Sequence, residues 1–156
     1  MAYYQLHKKQ FVSASIKEVW DFISSPKNLK IITPEYMGFD ITSKDLPEKM
    51  YPGMIISYTV KPFLGIKMVW VTEITHIETL KYFIDEQRIG PYSMWHHQHF
   101  IEPSGDGVLM TDIVTYSPPM GFLGGFANKL FIRKQLENIF DYRSEIIDKH
   151  FIKHSL

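Results

Sequence analysis

The spacing of apolar side chains changes twice along this chain. Residues 3–13 have the composition of a strand, and helical spacing follows at Ile16, Val19, Trp20 and Ile23. Ser15 supplies an N-cap oxygen and Glu18 stands three residues later, a capping-box pattern that predicts where the helix starts. A shorter helix is predicted over residues 26–32, because proline suits a first helical turn.

From residue 37 to 116 the apolar period becomes two, which is typical of strands with one buried face. Six strands are predicted, over residues 38–43, 54–60, 67–77, 80–89, 93–102 and 107–117. The breaks between most of them are short and rich in glycine and proline, which favours hairpins. Hairpins in series predict an antiparallel meander.

After Pro118-Pro119 the helical period returns and runs to about residue 151. Its apolar stripe passes through Phe122, Phe126, Leu130, Ile132, Leu136, Ile139, Phe140, Ile146 and Ile147. A sheet with one apolar face must be covered, and this helix is the element long enough to cover it. The chain therefore predicts an α+β, helix-grip fold, in which a seven-stranded curved antiparallel sheet wraps around a long C-terminal helix. Two short helices follow the first strand.

The amino-acid composition limits which classes of protein this chain can belong to. The 156 residues are 45% hydrophobic, and 17 basic residues balance 17 acidic ones. These values predict a single domain over residues 1–156 and no transmembrane segment. The balanced charge predicts no overall electrostatic attraction to nucleic acid. The absence of cysteine suits a cytoplasmic protein. A weak homodimer is compatible with the same composition.

Polar residues interrupt the apolar face of the last two strands. If residues 103–106 form the connecting loop, the opposed pairs are Trp95 with Val114, His97 with Asp112, and His99 with Met110. Asp112 breaks the apolar alternation of its strand, so its carboxylate is expected to point inward on the same face as both histidines.

The preceding hairpin gives a second set of polar residues. With Glu78-Thr79 as a two-residue turn, the opposed pairs are Trp70 with Gln87, Thr72 with Asp85, and Ile74 with Phe83. The other phase, with Val69, Val71 and Ile84 inward, is nearly as apolar and stays open. In the first phase, the polar residues of the concave face are Asp85, Gln87, His97, His99 and Asp112.

This much inward polarity has three interpretations. The carboxylates and imidazoles form a hydrogen-bonded core network, or they anchor the polar end of a ligand, or His97 and Asp112 act as an acid–base pair. Two histidines and an aspartate also suit zinc or iron. Because no compact third-ligand motif accompanies them, the sequence predicts neither a metal nor a cofactor.

One block of the sequence is unusually specific, namely Gly90-Pro91-Tyr92 followed by Trp95-His96-His97 and His99. With Trp70, Thr72, Phe83, Asp85, Gln87 and Met110-Thr111-Asp112, it resembles the START-related, birch-pollen-allergen-like SRPBCC superfamily, and within it small bacterial proteins of the polyketide cyclase/dehydrase type. The resemblance covers most of the chain. It implies the helix-grip fold and favours the inward phase of Phe83, Asp85 and Gln87.

The resemblance also implies a function, the binding or carriage of a small lipophilic molecule such as a lipid, quinone, sterol or polyketide. The lining would comprise Trp70, Thr72, Phe83, Trp95, Met110, Val114, Phe126 and Leu130. Asp85, Gln87, His97, His99 and Asp112 would orient the polar end. Two alternatives remain, a cyclase, dehydratase or isomerase that uses His97 and Asp112, and a protein-interaction module that uses the convex face. The resemblance transfers no catalytic residue.

Overall fold

A computed structural model describes residues 2–119 and 131–154 of the chain. Two helices, α1 and α2, accompany two short 3-10 helices and seven strands in the described residues. In chain order the elements are β1 (Tyr4–Val12), α1 (Ile16–Ile23), the 3-10 helices Pro26–Lys30 and Glu35–Met37, β2 (Asp40–Ile41), β3 (Met54–Phe63), β4 (Ile66–Glu78), β5 (Tyr82–Ile89), β6 (Met94–Ser104), β7 (Gly107–Ser117) and α2 (Arg133–His154).

The seven strands form one antiparallel sheet in the order β1-β7-β6-β5-β4-β3-β2. The predicted helix-grip architecture is confirmed, including the long C-terminal helix and the short helices after β1. The predicted helical stripe at Phe122, Phe126 and Leu130 lies outside the described residues. No helix within the described ranges is both long enough and apolar enough to cross a membrane.

Helix α1 begins at the predicted capping box. The Ser15 hydroxyl accepts a hydrogen bond from the Glu18 backbone N–H at 3.3 Å, and the Glu18 carboxylate accepts one from the Ser15 backbone N–H at 2.9 Å. The helix buries Val19 and Trp20, and the Trp20 ring meets the Phe83 ring edge-on. Helix α1 therefore closes one end of the sheet's concave face.

Helix α2 lies across the rest of that face. Ile132, just before its first residue, and the helical residues Leu136, Phe140, Ile147 and Phe151 are buried. They belong to two apolar clusters, one under α1 and one around Trp70, Tyr92 and Tyr116. The interior between sheet and helix is where the polar residues of the sheet must be accommodated.

The predicted register of the β6–β7 hairpin is wrong by two residues. His97 faces Val114 and His99 faces Asp112, because Ser104 pairs with Gly107 and only two residues form the turn. Gly105 makes this tight turn possible, since it takes the left-handed conformation with φ of 57°. A shift of two residues keeps each side chain on its predicted face.

The predicted register of the β4–β5 hairpin is also wrong. Thr72 faces Gln87 and Ile74 faces Asp85, because the turn holds three residues and the register shifts again between Ile74 and His76. Leu80, with φ of 65°, provides the left-handed residue of that turn. Burial of Thr72 and Ile74 settles the open question of phase in favour of the first alternative.

Candidate functional site

A cavity of about 160 Å³ lies between the concave face of the sheet and α2. Its described lining is mainly apolar and aromatic, with a few polar groups on the sheet side. The predicted site residues that line it are Trp70, Thr72, Phe83, Asp85, Trp95, His97 and His99. The structure thus brings together residues from three consecutive strands, β4, β5 and β6.

The remaining predicted site residues take other places. Met110, Asp112 and Val114 are buried on β7 and do not line the cavity. Phe126 and Leu130 lie outside the described residues. Gln87 also does not line the cavity.

Gln87 instead holds the connection between β5 and β6. Its amide donates to the Tyr92 carbonyl oxygen at 2.7 Å and accepts from the Tyr92 backbone N–H at 3.2 Å. A Cβ added to Gly90 would lie 2.3 Å from the Gln87 side-chain oxygen. A side chain at residue 90 would therefore displace Gln87 from these hydrogen bonds, and Gln87 is better explained as a turn-holding residue than as a ligand contact.

Aromatic rings form one wall of the cavity. Trp70 meets Trp95 edge-on with ring centroids 5.3 Å apart, meets Tyr92 at 5.7 Å, and lies nearly parallel to Tyr58 at 6.0 Å. Sequence patterns did not indicate Tyr58 or Tyr92 as site residues, although Tyr92 stands in the Gly90-Pro91-Tyr92 block. The Tyr58 hydroxyl shares a hydrogen bond with Thr72 at 2.9 Å, and among the described residues the buried Trp70 indole N–H has no hydrogen-bond partner.

Two imidazoles each bridge two carboxylates beside this wall. His97 Nε2 lies 3.0 Å from Asp112 Oδ1, and His97 Nδ1 lies 3.5 Å from Asp85 Oδ2. His99 Nε2 lies 2.7 Å from Asp85 Oδ2, and His99 Nδ1 lies 2.9 Å from Asp112 Oδ1. We call Asp85, His97, His99 and Asp112 the carboxylate–imidazole cluster.

Ring stacking fixes the orientation of both imidazoles. The His99 ring lies on the Phe83 ring at 3.9 Å and 16°, and the His97 ring follows at 3.6 Å from His99. Phe140 of α2 meets the His97 ring edge-on at 5.3 Å. These contacts fix the plane of each ring, and the neighbouring carboxylates determine which way its nitrogens point.

Arg143 of α2 adds a buried positive charge next to the carboxylate–imidazole cluster. A charged residue on a helix is usually solvated, but Arg143 is only 8% exposed. Its Nη2 atom lies 3.6 Å from Asp112 Oδ1 and 3.3 Å from His99 Nδ1. The available signal was spacing: Arg143 follows Phe140 by three residues and precedes Ile147 by four, which puts it on the buried stripe.

Burial and charge act against each other in this cluster. For Asp112, burial raises the pKa, but Arg143 and both imidazoles outweigh it and hold the pKa well below its ordinary value. For Asp85, burial again opposes the neighbouring His97, His99 and Arg143, and the pKa is lowered. Burial is also the main reason that the pKa of His97 falls to about 4. At neutral pH the cluster therefore holds two carboxylates and a neutral His97.

The lowered pKa of His97 predicts a loss of stability in mild acid. Between about pH 6.5, the ordinary histidine value, and pH 4, the unfolded chain takes up a proton that native His97 refuses. The free energy of unfolding should therefore fall as the pH decreases through this range. Urea denaturation of metal-free protein at pH 7 and pH 4.5 measures the fall. His97→Gln should lose less stability over the same interval, whereas an equal loss in His97→Gln and in the surface variant His96→Gln would contradict the assignment.

The same cluster contains a group of possible metal ligands. Asp85, His97 and His99 each offer one ligand atom, and these atoms all lie within 4.8 Å of one another. His96, the other histidine of the motif, points to the opposite face and contacts Glu86 at 2.9 Å. The sequence predicted no metal because the third ligand comes from β5, the neighbouring strand, and not from the histidine motif itself.

Taken with the cavity, the architecture is the helix-grip fold of birch-pollen-allergen-like, START-related proteins, as the sequence resemblance predicted. The chain is similar in structure to protein TTHA0849 from Thermus thermophilus, with a TM-score of 0.72 and 14% identity over 98% of this chain and 100% of that one. It is similar to Ara h 8.0201, with a TM-score of 0.58 and 12% identity over 94% and 98%.

A third similar structure is the major latex-like protein 151 of Panax ginseng, with a TM-score of 0.66 and 11% identity over 96% and 97% of the two chains. No protein-family model matches the chain, and no curated protein matches it. At these identities the likeness shows the fold, and the function must be argued from this chain's own residues.

Proposed function

We propose that this protein binds or carries a small lipophilic ligand that has an oxygen acceptor at one end. The observation that carries the proposal is an aromatic-lined cavity bordered by Trp70, whose buried indole N–H has no hydrogen-bond partner among the described residues. A buried donor without a partner costs free energy, and a ligand oxygen would recover that cost. In this proposal, residues 1–156 form one ligand-binding domain of a cytoplasmic protein.

The size of the cavity favours a compact ligand. A volume of about 160 Å³ is close to that of an engineered apolar cavity of roughly 150 Å³ that admits benzene. Drug-sized ligands occupy sites of about 300–1,000 Å³. A single ring or a short chain with a carbonyl or carboxyl group therefore fits this volume better than a sterol or a phospholipid.

The polar groups near Trp70 favour an acceptor at the ligand's polar end. The Tyr58 ring lies nearly parallel to the Trp70 ring, and both residues line the cavity. Either hydroxyl can donate in the pair of Tyr58 with Thr72, so Tyr58 can accept from Thr72 and keep its own proton for a ligand. Burial raises the pKa of Tyr58, so the hydroxyl keeps its proton. Two neutral donors on one wall suit a carbonyl oxygen.

Native mass spectrometry of the purified protein, followed by organic extraction, tests the proposal. We expect a bound compound, or stabilisation by members of a panel of small phenols, quinones, aromatic acids and short fatty acids. Trp70→Phe keeps an aromatic ring but removes the N–H, and it should weaken acceptor-bearing ligands by about tenfold, the value of one hydrogen bond of roughly 1.4 kcal/mol.

The matched control is Trp20→Phe, since Trp20 is buried in the core and does not line the cavity. Its affinity for the same ligands should equal that of the unaltered protein. No bound compound and no stabilisation across the panel would refute the proposal, and an equal loss in both variants would remove the role given to the Trp70 N–H.

The two alternatives fit the structure less well. Acid–base catalysis by His97 with Asp112 requires the imidazole to accept a proton near neutral pH, and burial lowers the pKa of His97 to about 4. An interaction module would use the convex face, where Met94 is 36% exposed and His96 is occupied by Glu86. Among the described residues, nothing on that face identifies a partner.

A further inference from the structure

The geometry assigns a second role to the same region: Asp85, His97 and His99 form a binding site for one divalent transition-metal ion that opens into the cavity. The ligand atoms are Asp85 Oδ2, His97 Nδ1 and His99 Nε2. The carboxylate oxygen lies 3.5 Å from the first nitrogen and 2.7 Å from the second. Ligands about 2.0–2.2 Å from a zinc-like ion are about 3–3.5 Å from one another, so the 2.7 Å contact must lengthen when an ion enters. The two imidazole rings, whose centroids are now 3.6 Å apart, must also separate.

The outer partners of the two imidazoles support this assignment. A histidine that binds a metal through one ring nitrogen usually donates its other N–H to a carboxylate, which fixes the ring and raises its basicity. Here the other nitrogens, His97 Nε2 and His99 Nδ1, lie 3.0 Å and 2.9 Å from the same oxygen, Asp112 Oδ1. One carboxylate thus orients both imidazoles toward Asp85.

Arg143 supports that orienting carboxylate in turn. Its Nη2 atom lies 3.6 Å from Asp112 Oδ1. A guanidinium cannot lose its proton in a protein, so it keeps Asp112 ionised and able to accept from both rings. The arrangement resembles that of a protein metal site. Three residues can bind the ion, the Asp112 carboxylate contacts two of those residues, and Arg143 contacts that carboxylate.

One hydrogen bond must be exchanged when the ion enters. His99 Nε2 is now within hydrogen-bonding distance of Asp85 Oδ2, so the metal would take the place of a proton between them. A neutral imidazole can carry its proton on Nδ1 instead, where Asp112 Oδ1 accepts it. Arg143 Nη2, now 3.3 Å from His99 Nδ1, would then donate to Asp112 alone.

The ligand set also limits which ion fits. Two imidazoles and one carboxylate suit Zn²⁺, Fe²⁺ or Co²⁺, whereas Mg²⁺ and Ca²⁺ prefer oxygen ligands. Three protein ligands leave coordination positions free for water or for an oxygen of a cavity ligand. All three residues line the cavity, so those positions can be reached from it.

Titration of EDTA-treated protein with Co²⁺ alone tests the assignment. We expect one equivalent of Co²⁺ per chain, with visible absorption bands of nitrogen and oxygen coordination, and competition by Zn²⁺ in calorimetry. Sulfur charge-transfer bands should be absent, because the chain has no cysteine. Asp85→Asn and His97→Gln should abolish stoichiometric uptake, and Asp112→Asn should weaken affinity by about 10- to 100-fold.

His96→Gln is the matched control, since it alters the adjacent histidine on the opposite face of β6 and should leave uptake unchanged. Failure of the folded, unaltered protein to bind a stoichiometric ion would overturn the assignment, whatever the variants do. Equal losses in His96→Gln and His97→Gln would also overturn it. Ligand binding measured in EDTA tests the cavity independently, so the two roles can fail separately.

Discussion

Replacement of Arg143 by methionine is expected to reduce the free energy of unfolding by about 3–5 kcal/mol, the usual cost of removing one partner of a buried charge pair. Methionine keeps much of the apolar stem but leaves the Asp112 carboxylate, which is 9% exposed, without its fixed cation. Loss of that cation should also raise the pKa of Asp112 toward its ordinary value. Urea denaturation at pH 7 measures the first effect.

Arg133→Met is the matched control for this prediction. Arg133 is on the exposed face of the same helix, 3.1 Å from Glu137, and such pairs contribute about 0.3–0.5 kcal/mol. Asp112→Asn in the Arg143→Met background should recover part of the loss, because the buried carboxylate is then neutral. A change below about 0.5 kcal/mol in Arg143→Met would contradict the buried contact.

Phe140→Ala is expected to have an effect of similar size, about 3–5 kcal/mol, by a different mechanism. Phe140 is 5% exposed, lines the cavity and packs edge-on against the His97 ring. Truncation removes apolar contacts and adds volume to the existing cavity, so the cost includes both the lost contacts and the space left behind. Thermal and urea unfolding measure the loss.

The enlarged cavity gives Phe140→Ala a second readout. Preference within a graded series of alkyl phenols should shift toward longer chains, because the new volume adjoins the old cavity. Phe131→Ala serves as the control, since Phe131 is 52% exposed and should change stability by less than about 0.5 kcal/mol. A large loss of stability with no shift in ligand preference would show that the space closes after truncation.

The sequence predicted the faces of the strands better than their register. Alternation placed His97 inward, the family resemblance favoured the phase with Trp70 and Phe83 inward, and all three are buried. The lengths of the turns could not be predicted in the same way, because they depend on the left-handed conformations of Gly105 and Leu80. The turn after β6 is shorter than predicted, and the turn after β4 is longer. A misjudged turn changes which residues face each other, and a shift by two leaves the buried face unchanged.

The sequence predicted which residues form the carboxylate–imidazole cluster, but it did not predict which of their side chains contact each other. The predicted pairing of His97 with Asp112 misses that each imidazole meets both carboxylates. Those diagonal contacts depend on the twist of the sheet and on ring stacking, which period-two patterns do not encode. Arg143 was missed because a charged residue on a helix is usually solvated.

The contact between Arg143 and Asp112 also restrains how the protein can move. Displacement of α2 away from β7 would lengthen this contact and separate two buried opposite charges, which is costly. Admission of a ligand by lifting the helix is therefore unfavourable near Arg143. Side-chain rotations, which take picoseconds to nanoseconds at exposed sites, offer a lower barrier. We expect the side-chain motions that open and close the cavity to occur away from Arg143. The part of the cavity beside the carboxylate–imidazole cluster should move least.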